Sequence, residues 1–273
     1  MRSRPGRNYP IALLTDFGYR DHYVGAMKGV IATIAPGAPL VDITHGIPPQ
    51  SIAAGAIALR ESWRYFPRLT VFLAVVDPGV GTARRPIAIE TAAGCRLVGP
   101  DNGLLFPAAE RAGIVGIVEL TSKRHRLPHL SSTFHGRDLF APAAAYLWRG
   151  TRLGALGPAI EMIEPLDTGH PQVGKNEMRG EVIYVDGYGN LVTNIDRASF
   201  SCFSARFSGR RLSVKIPPGA SLPVCETYGE VPKGASLATF GSFELLEIAI
   251  RDGNAAEQYA AQPGMPVKVY VRR

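Results

Sequence analysis

The stretch at residues 69–76, LTVFLAVV, constrains the fold of this chain more than any other, because it is apolar with no polar alternation. A strand that shows polar residues on neither face has to be covered on both, which is the situation of a largely parallel sheet between helices. The neighbouring pattern agrees. Short apolar runs at residues 11–15, 40–44, 87–91 and 115–120 alternate with helical periodicity over residues 22–35, 51–65 and 139–149. The first half is therefore expected to be an α/β sandwich.

After residue 157 the pattern changes. Residues 157–179 are rich in proline and glycine with no sustained period, which predicts a connection between domains. Beyond it come short β-type runs at 180–185, 191–195, 211–216, 236–240, 245–250 and 267–271, broken by Gly, Pro, Asn or Asp, with one short helix expected at 254–260. The expected organisation is an N-terminal α/β domain over 1–160, a linker over 161–179 and a smaller C-terminal β-barrel-like or sandwich domain over 180–273.

Several function classes are disfavoured by composition. No apolar run approaches the roughly 20 residues of a membrane-spanning helix. The basic start MRSRPGRNYP leads directly into IALLT, too short for a signal-peptide core, so a soluble, cytoplasmic protein is expected. Of the net charge of +7, Arg2, Arg4 and Arg7 supply three units in a terminus expected to fray, and no basic stripe interleaved with aromatics points to nucleic acid. Cys95, Cys202 and Cys225 have no C-x-x-C spacing and are expected to be buried thiols rather than zinc ligands or disulfides. No metal site is expected: Pro128 separates His125 from His129, and Lys123, Arg124 and Arg126 flank them. A serine hydrolase lacks its G-x-S-x-G elbow.

The polar residues of the first half gather where strands end, the usual ligand edge of an open α/β sheet. Asp16 closes the first strand in TDFG and could take two vicinal hydroxyls, although a turn or helix-cap aspartate has the same local sequence. Asp77 follows the buried strand and is succeeded by a Gly-rich turn and by Arg84 and Arg85; a salt bridge to one of them is expected, for structure or for chemistry. Asp101 and Asn102 sit in a Pro-Asp-Asn-Gly turn. His135 precedes a helix that Arg137 or Asp138 is expected to open. In the second half, VDGYGNLVTNI gathers Asp186, Tyr188, Asn190 and Asn194, where Asn190 could be a hairpin residue or could pair with a purine edge. Gly241, Ser242 and Phe243 precede a strand and could offer N–H groups and a hydroxyl to a carboxylate.

Taken together, TDFG (15–18), VVDPGVGTARR (75–85), PDNG (100–103), FHGRD (134–138), DGYGN (186–190) and GSFELLEIA (241–249) resemble, in order and spacing, the S-adenosylmethionine hydroxide adenosyltransferases, relatives of the fluorinase and chlorinase. The resemblance runs over roughly residues 10–272. It implies cleavage of the C5′–sulfur bond of S-adenosylmethionine by water to give adenosine and methionine, with no metal or redox cofactor, in a homotrimer whose active sites lie between one subunit's N-terminal domain and a neighbour's C-terminal domain. By position, the family's hydrolytic Asp, Arg and His fall on Asp77, Arg84 and His135. The resemblance further implies Asp16 for the ribose, Asp186 for the methionine ammonium, Asn190 for adenine, Ser242 for the methionine carboxylate, and Tyr188 and Tyr228 against the nucleoside, with Phe243 and Glu247 further binding candidates. Where the halogenating relatives carry a Tyr, a Thr three residues later and a Tyr-Ser pair, this chain has Asp77, Val80, His135 and Gly136. Two alternatives stay open: a halide-using transferase on the same scaffold, and a nucleoside- or S-adenosylmethionine-binding module without turnover.

Overall fold

A computed structural model describes residues 9–166, 169–207 and 210–272; the basic tail with Arg2, Arg4 and Arg7 lies outside the described residues. The chain divides into two compact units, Met1–Asp167 and Thr168–Arg273.

The first unit is built on strands β1 (Ile11–Thr15), β2 (Leu40–Thr44), β3 (Val71–Val75), β4 (Pro86–Thr91), β5 (Arg96–Pro100) and β6 (Ile114–Glu119) in the order β2-β1-β3-β5-β4-β6. β1 pairs in parallel with β2 and β3, and β3 with β5. Only β4 runs against its neighbours. The reversal has a simple cause, since Ala92–Ala93–Gly94–Cys95 joins β4 to β5 and four residues cannot make a parallel crossover. The sheet is thus mostly parallel, as the apolar strands predict.

Helices α1 (Tyr23–Ile34), α2 (Ile52–Ser62), α3 (Phe106–Ala112) and α4 (Ala141–Trp148) flank the sheet. Alternation along the strands distributes side chains between its faces: Ile11, Leu13, Val71, Leu73 and Val75 join one core with Met27 and Ile31 of α1 and the inner residues of α4. On the other face α2 comes close at Gly55, where an added Cβ would stand 2.9 Å from Leu104 and 3.0 Å from Val76. Before α4 the chain makes a π-helical turn, Gly136–Phe140.

The second unit holds β7 (Gln172–Val173), β8 (Glu177–Val185), β9 (Leu191–Asp196), β10 (Leu212–Ile216), β11 (Ala220–Pro223), β12 (Ser236–Phe240), β13 (Leu245–Ile250) and β14 (Pro266–Val271), with helices α5 (Arg197–Ser204) and α6 (Ala255–Tyr259). Its antiparallel sheet runs β11-β10-β14-β8-β9-β13-β12, with β7 on β8. A bridge between Val224 and Ala238 brings the two ends together, so the sheet is a nearly closed barrel. Met178, Ile195, Phe203, Val214, Leu246, Ile248 and Val269 fill its core.

Three expectations are corrected here. The second unit contains α5 besides the single short helix expected at 254–260; Asp196 caps it by accepting the Ser199 N–H at 2.8 Å. The thiols are not all buried: Cys95 is, Cys225 is half-buried, and Cys202 is exposed on α5, whose next residue Phe203 takes the inward position. β8 also begins at Glu177, before the expected start at residue 180, because Met178 is an inward residue of the barrel between polar Glu177 and Arg179.

Candidate active site

Asp77 stands two residues beyond the buried end of β3, with buried Val76 between. The chain then folds back through two consecutive turns, Val80 N–H to Asp77 O (3.2 Å) and Thr82 N–H to Gly79 O (3.1 Å), which return Arg84 to the carboxylate it left. Arg84 donates from Nε to Asp77 Oδ1 at 2.8 Å and from Nη2 to Asp77 Oδ2, a bidentate pair with both side chains less than a tenth exposed. The same Nη2 lies 2.9 Å from His135 Nδ1. The guanidinium carbon is 5.2 Å from the centroid of the Phe140 ring, supplied by the π-helical turn.

This arrangement dictates a protonation state. A guanidinium has only donors, so Nδ1 of His135 must offer its lone pair, and the proton of the neutral ring is assigned to Nε2. Burial and the adjacent Arg84 charge both push the His135 pKa below the ordinary imidazole value, outweighing Asp77 and Asp138. His135 itself occupies the N-cap position of the π-helical turn. Arg137 and Asp138, expected to open that helix, lie inside it: Asp138 is buried, paired with Arg137 and accepting the Ser131 N–H at 2.7 Å.

Arg84 and Arg85 diverge. Arg85 Nε donates to Asp101 Oδ2 at 2.9 Å, and Asp101 Oδ1 accepts the Glu164 N–H at 2.8 Å. Asn102 donates to Val76 O at 2.9 Å, which fixes the chain immediately ahead of Asp77. Asp101 and Asn102 therefore brace the loop rather than join the cluster.

Asp16 sits at the end of β1 and caps no helix, since the N-cap of α1 is His22. Its Oδ2 accepts the Gln50 N–H at 2.8 Å, and among the described residues its Oδ1 has no hydrogen-bond partner. Sequence reasoning missed the aromatic group that ties this turn to the His135 segment: Phe17 and Phe134 meet edge to face at 5.9 Å, and Tyr23 and Phe134 at 5.1 Å. The three aromatic residues that do this, Phe17, Tyr23 and Phe134, carry no periodic signal across more than a hundred positions. Gly136 lies inside the group; a Cβ there would stand 3.2 Å from Phe134, 3.3 Å from Met27 Sδ and 3.4 Å from Phe17.

In the second unit the β8–β9 turn is organised by Asp186. Its Oδ1 accepts the N–H groups of Tyr188 and Asn190, both at 2.9 Å, and its Oδ2 accepts the Asn190 side-chain amide at 2.9 Å. Gly189 has φ +82° and lies so close to α6 that a Cβ would come within 2.0 Å of Asn254 Oδ1. Tyr188 is 83% exposed, whereas Asn190 is buried. Tyr228 donates its hydroxyl to Glu247, and burial pushes both groups' pKa values up, with Asp186 adding to each shift. The Glu247 carboxylate lies against Gly241, in the same β12–β13 turn as exposed Ser242 and half-buried Phe243. Among the described residues, no group of three or more His, Cys, Asp or Glu side chains could hold a metal ion, and no helix is long and apolar enough to cross a membrane.

The two units, α/β and then barrel-like, coincide with the two domains of one protein class. The model of the SAM hydroxide adenosyltransferase N-terminal domain matches residues 11–157, and that of the C-terminal domain matches residues 180–268. The chain belongs to the SAM hydroxide adenosyltransferase family. It is 41% identical over 270 residues to a protein of Thermus thermophilus named (R)-S-adenosyl-L-methionine hydrolase, covering 95% of this chain and 99% of that one. A fluorinase of Nocardia brasiliensis is more distant, at 26% identity over 299 residues, covering 99% of this chain and 100% of that one. Among solved structures, an uncharacterized conserved protein from Thermotoga maritima superimposes with a TM-score of 0.85 at 36% identity, covering 95% of this chain and 99% of that one.

Proposed function

We propose that this protein hydrolyses S-adenosyl-L-methionine at the C5′–sulfur bond, releasing adenosine and L-methionine. The observation that carries the reading is the hydrogen-bonded set Asp77–Arg84–His135. The sulfonium is already a good leaving group, so the protein has mainly to hold a water in line with C5′ and take up its proton. Water's oxygen bonds to C5′, the C–S electron pair leaves on the methionine sulfur, and one proton is released. Arg84 occupies the only free nitrogen lone pair of His135, so His135 acts as an Nε2–H donor to the attacking oxygen, and Asp77 is the group left to accept the proton. The fixed guanidinium charge stabilises the hydroxide character that develops.

In the same reading Asp16 takes the ribose hydroxyls, Asp186 the methionine ammonium, Asn190 the adenine and Ser242 the methionine carboxylate, while Tyr188 and Tyr228 cover the nucleoside and Phe243 and Glu247 are further binding candidates. Family membership supports a homotrimer, with each site shared between the N-terminal part of one subunit and the C-terminal part of its neighbour, working in the cytoplasm. S-adenosylmethionine is the substrate, and the reaction balances without a further cofactor.

Turnover in ¹⁸O-water, with and without chloride, tests this. Label in the adenosine 5′-hydroxyl is expected. 5′-Chloroadenosine would instead make the protein a halide-using transferase, and tight nucleoside binding without turnover would make it a binding module. Asp77→Asn and His135→Ala are expected to lower kcat by about 100-fold or more while adenosine still binds in calorimetry.

A further inference from the structure

His45 was not singled out by any motif, yet it stands at the centre of a buried polar chain beneath Asp16. Thr15, which precedes Asp16, and His45, which follows β2, are both essentially inaccessible to solvent. Thr15 Oγ1 lies 2.7 Å from His45 Nδ1, and the Phe17 N–H donates to the same Thr15 oxygen at 3.2 Å. On the far side of the ring, His45 Nε2 is 3.2 Å from Asp42 Oδ1, out of line for an ideal hydrogen bond. Among the described residues neither atom has another partner. Asp42 Oδ2 accepts from Lys28 Nζ and from the Tyr19 hydroxyl, each at 2.7 Å.

The donors in this chain run in one direction. Burial alone would raise the Asp42 pKa, but hydrogen bonds from Lys28 and Tyr19, with the nearby His45 ring adding to them, outweigh it and take the carboxyl to about 2. Asp42 is thus an anion that only accepts, so His45 Nε2 carries the ring proton toward it. Burial keeps the ring from taking a second proton, its pKa lying below the ordinary value. Nδ1 is then an acceptor, the Thr15 hydroxyl must donate to it, and the remaining Thr15 lone pairs face the Phe17 N–H. His45 also grips the turn through its backbone, because the Gly18 N–H donates to His45 O at 2.8 Å. Asp16 lies between these two attachments, and its own Oδ2 is held by Gln50 of the same β2–α2 connection.

We propose that His45 is a positioning residue: acting through Thr15, it sets the orientation in which the Asp16 carboxylate meets a vicinal diol. The inference rests on the reading of Asp16 as the ribose ligand. His45 is 1% exposed and so touches no substrate; what it controls is the tilt of the Thr15–Gly18 turn. Losing the Thr15 hydroxyl contact frees that turn to rotate about the end of β1, and a carboxylate that grips two hydroxyls is more sensitive to rotation than one that grips a single hydroxyl.

The test compares kcat/KM for S-adenosylmethionine and for its 2′-deoxy counterpart in the full-length protein. Asp16→Ala, His45→Leu, His45→Gln and Thr15→Val are used, with the thermal midpoint recorded for each. The wild type should prefer the ribo substrate by about 10- to 100-fold, the range of a charged hydrogen bond, and Asp16→Ala should abolish the preference. His45→Leu and Thr15→Val should cut it by about 10-fold and add nothing in the Asp16→Ala background. His45→Gln should restore most of it, since one amide supplies both the acceptor for Thr15 and the donor for Asp42. Full preference in a folded Thr15→Val protein overturns the proposal, and this single-group change decides the matter if His45→Leu does not fold. Persistence of the preference in Asp16→Ala overturns the underlying assignment of Asp16 instead, so the two failures are distinguishable.

Discussion

Arg84 serves two masters, neutralising Asp77 and occupying the Nδ1 lone pair of His135, and its removal therefore costs more than one contact. Arg84→Gln leaves a carboxylate with 5% side-chain exposure unpaired, and we expect a loss of about 3 kcal/mol in urea unfolding together with loss of turnover. Its pH behaviour follows from His135. The pKa of that ring is lowered from 6.5, so the neutral ring prevails at pH 7 and its ionisation lies on the acid side. The sign is that of a depressed group: the arrangement is intact above pH 6.5 and is lost as pH falls through the lower folded pKa, when a protonated Nδ1 confronts the guanidinium. A kcat/KM profile should be level at and above pH 6.5 as far as His135 is concerned and fall only as pH drops through the lowered pKa of the ring, and His135→Gln should lack that acid limb. An acid limb unchanged in His135→Gln would sink the assignment.

At the scale of elements, the β8–β9 turn is seated on α6. Asn254 caps α6 by accepting the Glu257 N–H at 3.0 Å, its side chain fills the space beside Gly189, and Gly189 O accepts the Ala256 N–H at 2.9 Å. Asn254→Ala should cost about 1 kcal/mol as a lost cap. Gly189→Ala should cost at least about 2 kcal/mol, combining positive φ with a clash, and the double variant less than the sum because the clash is gone. Strictly additive losses in chemical denaturation would disprove the packing argument. The elements differ in how plainly they can be read from sequence. β1 and β3 are visible because burial on both faces leaves them apolar but for Thr15 at the end of β1, and the switch to short alternating runs marks the barrel. α3 escaped because FPAAERA is too short to show a 3.6-residue period and Pro107 reads as a breaker, although proline suits a first helical turn. α5 escaped because RASFSCFS is serine-rich; its signal was the Asp196–Ser199 cap spacing. The reversal of β4 is written in the length of a four-residue turn, not in strand composition. In the site, the return of an arginine to Asp77 was legible from the Gly-rich turn, but neither His135 Nδ1 nor the Thr15–His45 contact, 30 residues apart, leaves a local trace.

On the scale of the whole molecule, the proposed trimer makes a prediction that no single-chain property could. If each site takes its N-terminal half from one subunit and its C-terminal half from the next, Asp77→Asn and Asn190→Ala chains are each inactive alone but complement each other. Random reassembly after mixing in equal amounts should restore about one quarter of wild-type activity, since each half is intact with a chance of one half. A mixture no more active than its parts argues for sites within one subunit. Light scattering should report three copies. The division of the chain into two units with separate cores also has a hereditary consequence. The Asp77–Arg84–His135 set is encoded entirely upstream of residue 157 and the barrel entirely downstream of it, so a single crossover between genes of this kind can exchange one half as a cassette. Under the proposed assignment, in which the barrel holds the methionine part of the substrate, recognition of a new leaving group can then be acquired in one event, without passing through a chain in which either core is broken.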